Sequence, residues 1–135
     1  MNSDTVVLDT SVLVAIFKSE ADSRELVERI SSYKRKVLSA ATWLEAAIVC
    51  EGTSAKSGGG AELERLVSDL SVEVISVSPE QAALAFEAFK RFGKGRGAQA
   101  SLNFGDCFVY ALAAELEAPL LFKGSDFAAT DLQPA

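Results

Sequence analysis

Two rhythms of apolar residues alternate along the chain. Four short runs, TVVLD (5–9), KVLSA (36–40), VEVISVS (72–78) and APLLFKG (118–124), are rich in β-branched residues or leucine and too short for helices, so they predict strands. Between them the apolar spacing lengthens to that of a helix. TSVLVAIF (10–17) has Asp9 or Thr10 placed to cap it. DSRELVERISSY (22–33) puts Leu26, Val27, Ile30 and Tyr33 on one face, and AELERLVSDL (61–70) is amphipathic in the same way. TWLEAAIVCEG (42–52) reads as a mostly buried helix closed by Gly52. SPEQAALAFEAFKRF (78–92) opens with Ser78 as cap, Pro79 in the first turn and Gln81 as capping-box partner. From Phe104 a further helix is apolar or aromatic at every position between Cys107 and Ala114, the pattern of an element buried on nearly all sides. SDFAATDL (125–132) predicts a final turn or short helix.

Strands that alternate with helices, with no pair joined by a tight hairpin, predict parallel βα units. The expected fold class is α/β, a three-layer α/β/α sandwich around a central parallel sheet, built as one domain over 1–135. TSAKSGGG (53–60) reads as a flexible connection and not a phosphate loop, because GxxxxGK[ST] is absent and no strand precedes it.

Composition removes more chemistry than it suggests. The chain has no histidine, which excludes a Ser-His-Asp triad, a Cys-His pair and an HExxH zinc site. Cys50 and Cys107 lie inside apolar helical patterns without a CxxC partner and are expected to be small buried hydrophobes in a reducing compartment. The opening Met1-Asn2-Ser3-Asp4 lacks the layout of a signal peptide, and no apolar run approaches the ~18–20 residues of a membrane span. A cytoplasmic protein without membrane contact is expected. Any hydrolysis must use carboxylates, hydroxyls, lysines or a hard cation.

A net charge of −6 opposes non-specific binding of a polyanion, yet KRFGKGRG gathers Lys90, Arg91, Lys94 and Arg96, and YKRK gathers Lys34, Arg35 and Lys36. Each group is either a solvated helix end or loop, or a phosphate-contacting patch.

Four acids map to the carboxyl ends of the predicted strands, where open parallel sheets form ligand sites. Asp9 ends the first strand, Glu45 follows the second, Asp106 opens the buried helix, and Asp126 follows the fourth strand. Each also has a capping explanation: Asp9 as N-cap, Glu45 in a box with Thr42, Asp106 in a box with Asn103, and Asp126 in the last turn. Jointly, capping is insufficient. Four carboxylates at one sheet edge repel one another, and helix dipoles offset only about 0.3–1 kcal/mol apiece. An oxygen-lined pocket without imidazole or thiolate selects Mg²⁺ or Mn²⁺ and suits phosphoester hydrolysis.

The motifs VVLDTSVLVAIF, SAATWLEAAIV and SLNFGDCFVYALAAELEAPLLFKGSDFAATDL, in that order, resemble the PIN-domain ribonucleases, and most of all the VapC-type toxins of bacterial toxin–antitoxin modules. The resemblance runs from Val6 to about Leu132. It implies that Asp9, Glu45, Asp106 and Asp126 form an acidic metal-binding quartet, with Ser11 as a hydroxyl beside it and Asn103 and Ser125 in supporting positions. Ser125 stands where relatives often carry a further Asp or Asn, and Asp131 is expected to cap the last turn. The resemblance further implies a Mg²⁺- or Mn²⁺-dependent endoribonuclease, usually a homodimer, neutralised by a VapB-type antitoxin that would dock on the second and third helices near Trp43 and Leu44. Lys90, Arg91, Lys94 and Arg96 are the candidate RNA contacts. Two alternatives also place an Asp after a first strand. A haloacid dehalogenase-type phosphatase needs a second Asp where this chain has Ser11. A receiver-like regulatory module needs paired acids there and a later lysine, for which Lys123 is a candidate.

Overall fold

A computed structural model describes residues 3–53, 58–96 and 100–135. The elements run β1 (Thr5–Leu8), α1 (Thr10–Phe17), α2 (Ser23–Ser31), β2 (Arg35–Ser39), α3 (Ala40–Thr53), α4 (Gly59–Asp69), β3 (Val72–Ile75), α5 (Pro79–Phe92), α6 (Phe104–Leu116) and β4 (Leu120–Leu121). The strands form one sheet in the order β3-β2-β1-β4, and every pair is parallel.

Strand periodicity divides the core into two. Val6 and Leu8 of β1, Leu38 of β2 and Leu121 of β4 face a cluster built with Val12, Leu13, Ile30, Cys50 and Leu63 from α1 to α4. Val7, Val37 and Leu120, one residue out of step, face the opposite cluster with Ala85, Ala88, Val109, Ala111 and Leu112 from α5 and α6. Both faces are covered, which gives the three-layer α/β/α sandwich. It also explains why β1, Thr5–Leu8, is buried at every position instead of alternating. Each fully buried Val or Leu contributes about 1.5–3 kcal/mol through removal from water, so β1, wholly buried from Val6 to Leu8, anchors both layers.

Several boundaries differ from the sequence pattern for identifiable reasons. The run 118–124 yields only the two-residue β4, whose outer edge is met by the C-terminal residues: Leu120 N–H donates to the Gln133 carbonyl at 2.9 Å and Ala135 N–H to the Leu120 carbonyl at 2.8 Å. That pairing covers the sheet edge. α3 begins at Ala40, where the Ser39 hydroxyl accepts the Ala41 N–H at 3.2 Å, so Thr42 lies inside the helix. Its hydroxyl is buried without a hydrogen-bond partner among the described residues, and the Thr42–Glu45 capping box is not formed. Gly52 lies in the last turn of α3 and does not close it.

α2 ends at Ser31, which leaves Tyr33 beyond the helix although still packed on the core. Ser78 caps α5 through the Gln81 N–H at 3.1 Å, but the Gln81 amide reaches across to Glu115 at 3.0 Å instead of closing a box. α4 starts at Gly59, two residues before the amphipathic pattern, and that residue lies against the Cys50 carbonyl of α3, leaving no room for a Cβ. Residues 54–57 of the predicted connection lie outside the described residues. Both cysteines are free and buried. No helix among the described residues is long and apolar enough to cross a membrane.

Candidate active site

The ends of β1 and β4 and the starts of α1 and α6 meet at one edge of the sheet, and this arrangement sets where each acid stands. Asp9 follows β1 directly, its N–H donating to the Leu121 carbonyl of β4 at 3.1 Å. Its Oδ2 accepts from the backbone N–H of Ser11 at 3.1 Å and from the Ser11 hydroxyl at 2.6 Å, so it is the N-cap of α1. The Ser11 hydroxyl oxygen in turn accepts the Lys123 N–H at 2.9 Å, which fastens the start of α1 to the segment after β4. Burial raises the Asp9 pKa; the Ser11 hydrogen bonds oppose this, and the charge of Glu45 adds to it.

Asp106 opens α6 in a complete capping box. Asn103 Oδ1 accepts the Asp106 N–H at 2.9 Å, and Asp106 Oδ2 accepts the Asn103 N–H at 3.0 Å. The carboxyl is buried and its pKa is pushed up to about 6. Desolvation is the largest cause, the Asn103 N–H works against it, and the charges of Asp9, Asp126 and Glu45 push it further up. Asp9, Glu45 and Asp126 therefore each lie within electrostatic reach of Asp106.

Glu45, in the second turn of α3, accepts a hydrogen bond from the Thr10 hydroxyl across 35 positions of sequence. Its other oxygen lies against Gly105: a Cβ at that position would stand 2.5 Å from Oε2. Asp126 is exposed in the turn after β4, reached through Gly124 at φ +94°, a conformation glycine adopts without strain. Among the described residues its side chain accepts no hydrogen bond, so it is not a cap. Ser125 is exposed and enters the turn through its carbonyl, which accepts the Ala128 N–H at 3.1 Å.

As the side chains stand, no three acids or cysteines among the described residues are arranged to hold a metal ion. Three of the carboxylates instead lean on hydrogen-bond donors, Asp9 on Ser11, Glu45 on Thr10 and Asp106 on the Asn103 N–H. The donor set nevertheless fits a hard cation. It is all oxygen, and burial and mutual repulsion leave Asp9 and Asp106 short of the positive charge that would stabilise their ionised forms.

The basic residues divide. Lys90 pairs with Glu87 at 2.7 Å and Arg91 with Asp131 at 3.3 Å, so both are already engaged. Lys94 and Arg96 are exposed and form no ion pair among the described residues. Their loop is tied to the start of α6, since Lys94 N–H donates to the Leu102 carbonyl at 2.9 Å. Gly97 lies outside the described residues. Asp131 does not cap the last turn; it accepts the Tyr110 hydroxyl at 2.5 Å and pairs with Arg91, joining the C-terminal segment to α5 and α6.

Lys123 reaches Glu20 at 2.6 Å and Asp22 at 3.0 Å between α1 and α2, so its ammonium is engaged away from the acids, unlike the lysine of a receiver-like site. Sequence reasoning missed the Thr10–Glu45 and Gly105–Glu45 contacts. The adjacency of Thr10 to Asp9 and of Gly105 to Asp106 was the available signal.

The same edge of the molecule carries an unusual amount of apolar surface. Leu44 and Ile48 of α3 and Phe104 of α6 are exposed and line a groove with Glu45, Gly105 and Phe108, and a second groove beyond Phe104 is lined by Phe86 and Phe89. Trp43, by contrast, is half-buried against the inner core.

A parallel βα sheet with acids gathered beyond its strand ends defines a class, and the family comparison agrees. The PIN domain matches residues 6–132, and the chain belongs to that family. Within it the chain falls among VapC ribonucleases. Ribonuclease VapC of Mycolicibacterium smegmatis is 43% identical over 127 residues, 94% of this chain and 97% of that protein. Ribonuclease VapC30 of Mycobacterium tuberculosis is 39% identical over 94% of this chain and 95% of its own length. Solved structures share the fold. VapC20 of M. tuberculosis, described as a sarcin–ricin loop cleaving toxin, superposes with a TM-score of 0.77 at 14% identity, covering 96% of this chain and 98% of that one. The VapBC-1 structure from nontypeable Haemophilus influenzae gives 0.69 at 21% identity over 97% and 96%.

Proposed function

We propose that this chain is a Mg²⁺- or Mn²⁺-dependent endoribonuclease toxin that hydrolyses RNA phosphodiester bonds and is neutralised by a VapB-type antitoxin. The observation that carries the reading is the convergence of charge on buried Asp106 from Asp9, Glu45 and Asp126, at a sheet edge with only oxygen donors. Asp9, Glu45, Asp106 and Asp126 would hold the cation. When bound, it lowers the pKa of a water and offsets charge growing on the phosphoryl group.

The chain's own residues do the rest. Ser11 and Asn103 orient Asp9 and Asp106. Lys94 and Arg96, exposed beside the start of α6 and without an ion pair among the described residues, hold the RNA backbone, with Lys90 and Arg91 free to join only by releasing their acids. An enzyme of cellular RNA works in the cytoplasm, where both cysteines stay reduced.

The antitoxin is supported by the names of solved relatives, among them a toxin–antitoxin complex from Klebsiella pneumoniae. The exposed strip of Leu44, Ile48 and Phe104 beside Glu45 supports a docking partner at the mouth of the site, and a homodimer would cover further apolar surface near Phe86. The test is RNA cleavage by the purified chain with Mg²⁺ or Mn²⁺, with EDTA, and by Asp9→Asn and Asp106→Asn. Cleavage is expected only with metal and all acids present; activity that survives chelation or either substitution rejects the reading.

A further inference from the structure

The glycine at 105 has no backbone reason to be there. It is the second residue of α6, and its φ lies outside the left-handed range, so any residue could adopt its conformation. Helix propensity even favours alanine over glycine in such a position. What a side chain would meet is specific: the three nearest atoms to a Cβ at 105 all belong to Glu45, Oε2 at 2.5 Å, Cδ at 3.1 Å and Oε1 at 3.2 Å. Gly59 is the contrasting case, because there a Cβ would strike the backbone carbonyl of Cys50, which cannot move without moving α3. At Gly105 the obstacle is the end of a flexible side chain. A substitution would therefore spare the fold and displace the carboxylate.

On the opposite side the Thr10 hydroxyl donates to Glu45 Oε1. Thr10 immediately follows Asp9 and Gly105 immediately precedes Asp106, so the two neighbours of the buried acids together define where the third acid lies.

We propose that Gly105 and Thr10 are positioning residues that hold the Glu45 carboxylate between α1 and α6, the glycine by leaving space and the threonine by supplying a hydrogen bond. The proposal rests on the assignment of Glu45 to the acidic site made above. Neither residue touches substrate; each acts through Glu45. Removing the space forces the carboxylate out of its place against Gly105, and removing the hydroxyl lets it rotate. Displacements of about 1 Å in a catalytic constellation cost up to about a hundredfold in rate, and loss of an outer-shell partner costs about 10–100-fold in metal affinity or activity.

The experiment compares Gly105→Ala, Thr10→Val, Thr10→Ser, Glu45→Gln, Glu45→Asp and the Gly105→Ala/Glu45→Asp double variant. Three readouts are taken on each full-length chain: kcat for RNA cleavage, Mn²⁺ affinity by electron paramagnetic resonance, and thermal midpoint without metal. Gly105→Ala is expected to melt no lower than the wild type yet lose tenfold or more in kcat, about the scale of a misplaced ligand, with weakened Mn²⁺ binding.

Thr10→Ser is expected to keep wild-type values, whereas Thr10→Val loses about tenfold in both, the lower end for an outer-shell partner. The double variant is expected to be little worse than Glu45→Asp alone, since the shorter acid no longer meets the added methyl. Wild-type kcat and Mn²⁺ affinity in Gly105→Ala, or strictly additive losses in the double variant, would overturn the proposal while leaving the nuclease reading intact if Glu45→Gln is inactive. Full activity in Glu45→Gln overturns the site assignment and the positioning role with it.

Discussion

Ser11 grips Asp9 twice, through its backbone N–H at 3.1 Å and its hydroxyl at 2.6 Å, both on Oδ2. The same hydroxyl oxygen receives the Lys123 N–H at 2.9 Å, so one side chain fixes an acid and joins two segments of the site. Ser11→Ala removes the hydroxyl contact that lowers the Asp9 pKa against burial. Asp9 will then take up its proton more readily, and the acid limb of the cleavage–pH profile should move to higher pH. Stability should fall by about 1.5–3 kcal/mol, the scale of a hydrogen bond to a charged group. An unmoved acid limb, with or without the stability loss, would show that the hydroxyl does not tune Asp9.

Asp106 allows a prediction of opposite sign. Its folded pKa of about 6 lies above the ordinary 3.8, so the folded state binds this proton more tightly than the unfolded chain does. The stabilisation is complete below 3.8 and is lost as pH rises through about 6. At pH 7 the ionised carboxyl is a burden on the metal-free protein. Asp106→Asn removes the charge but keeps an oxygen able to accept the Asn103 N–H, so it should stabilise the apoprotein at pH 7 by about 1–2 kcal/mol, and by almost nothing at pH 3.5. Denaturant midpoints at the two pH values measure this. Equal midpoints for variant and wild type at pH 7 would refute it.

Lys94 and Arg96 are exposed beside the start of α6 and form no ion pair among the described residues. Reversing both to Glu should weaken RNA binding and flatten its dependence on salt by about 0.7 in log–log slope per lost phosphate contact. Reversing Lys90 and Arg91 should do less, because each already pairs with an acid. Binding measured across a salt series decides between them, and an unchanged slope after the first reversal would remove the loop from the RNA interface.

Gly59 carries a prediction about the fold alone. An added methyl meets the Cys50 carbonyl where α4 passes α3, and backbone must shift to admit it. Gly59→Ala should destabilise by about 1–3 kcal/mol, as overpacking does, despite the better helix propensity of alanine. Equilibrium unfolding of the variant tests this, and a stability equal to or above the wild type would contradict the close approach.

Much of the molecule was legible in one dimension. Short runs rich in Val and Leu at 5–8 and 36–39 specified strands, and the absence of hairpin turns specified a parallel sheet. Asn103 and Asp106, three residues apart, specified a capping box that the structure contains. These features are local: periodicity and capping depend on residues within one turn or strand.

The errors share the opposite character. Glu45 had a plausible local partner in Thr42 and found its actual one in Thr10, 35 positions away. Gln81 turned from its own helix start to Glu115, and Asp131 from its own turn to Tyr110 and Arg91. Helix ends and strand lengths moved for the same reason, as when the C-terminal residues came to lie along Leu120. The sequence by itself determined the layers, the acids and their place at the strand ends, because hydrophobic periodicity and βα order are properties of the chain. Only the tertiary structure decided which groups face each carboxylate, because a polar side chain near the interior takes the best donor in space, and the nearest one in sequence has no privilege once the backbone is folded.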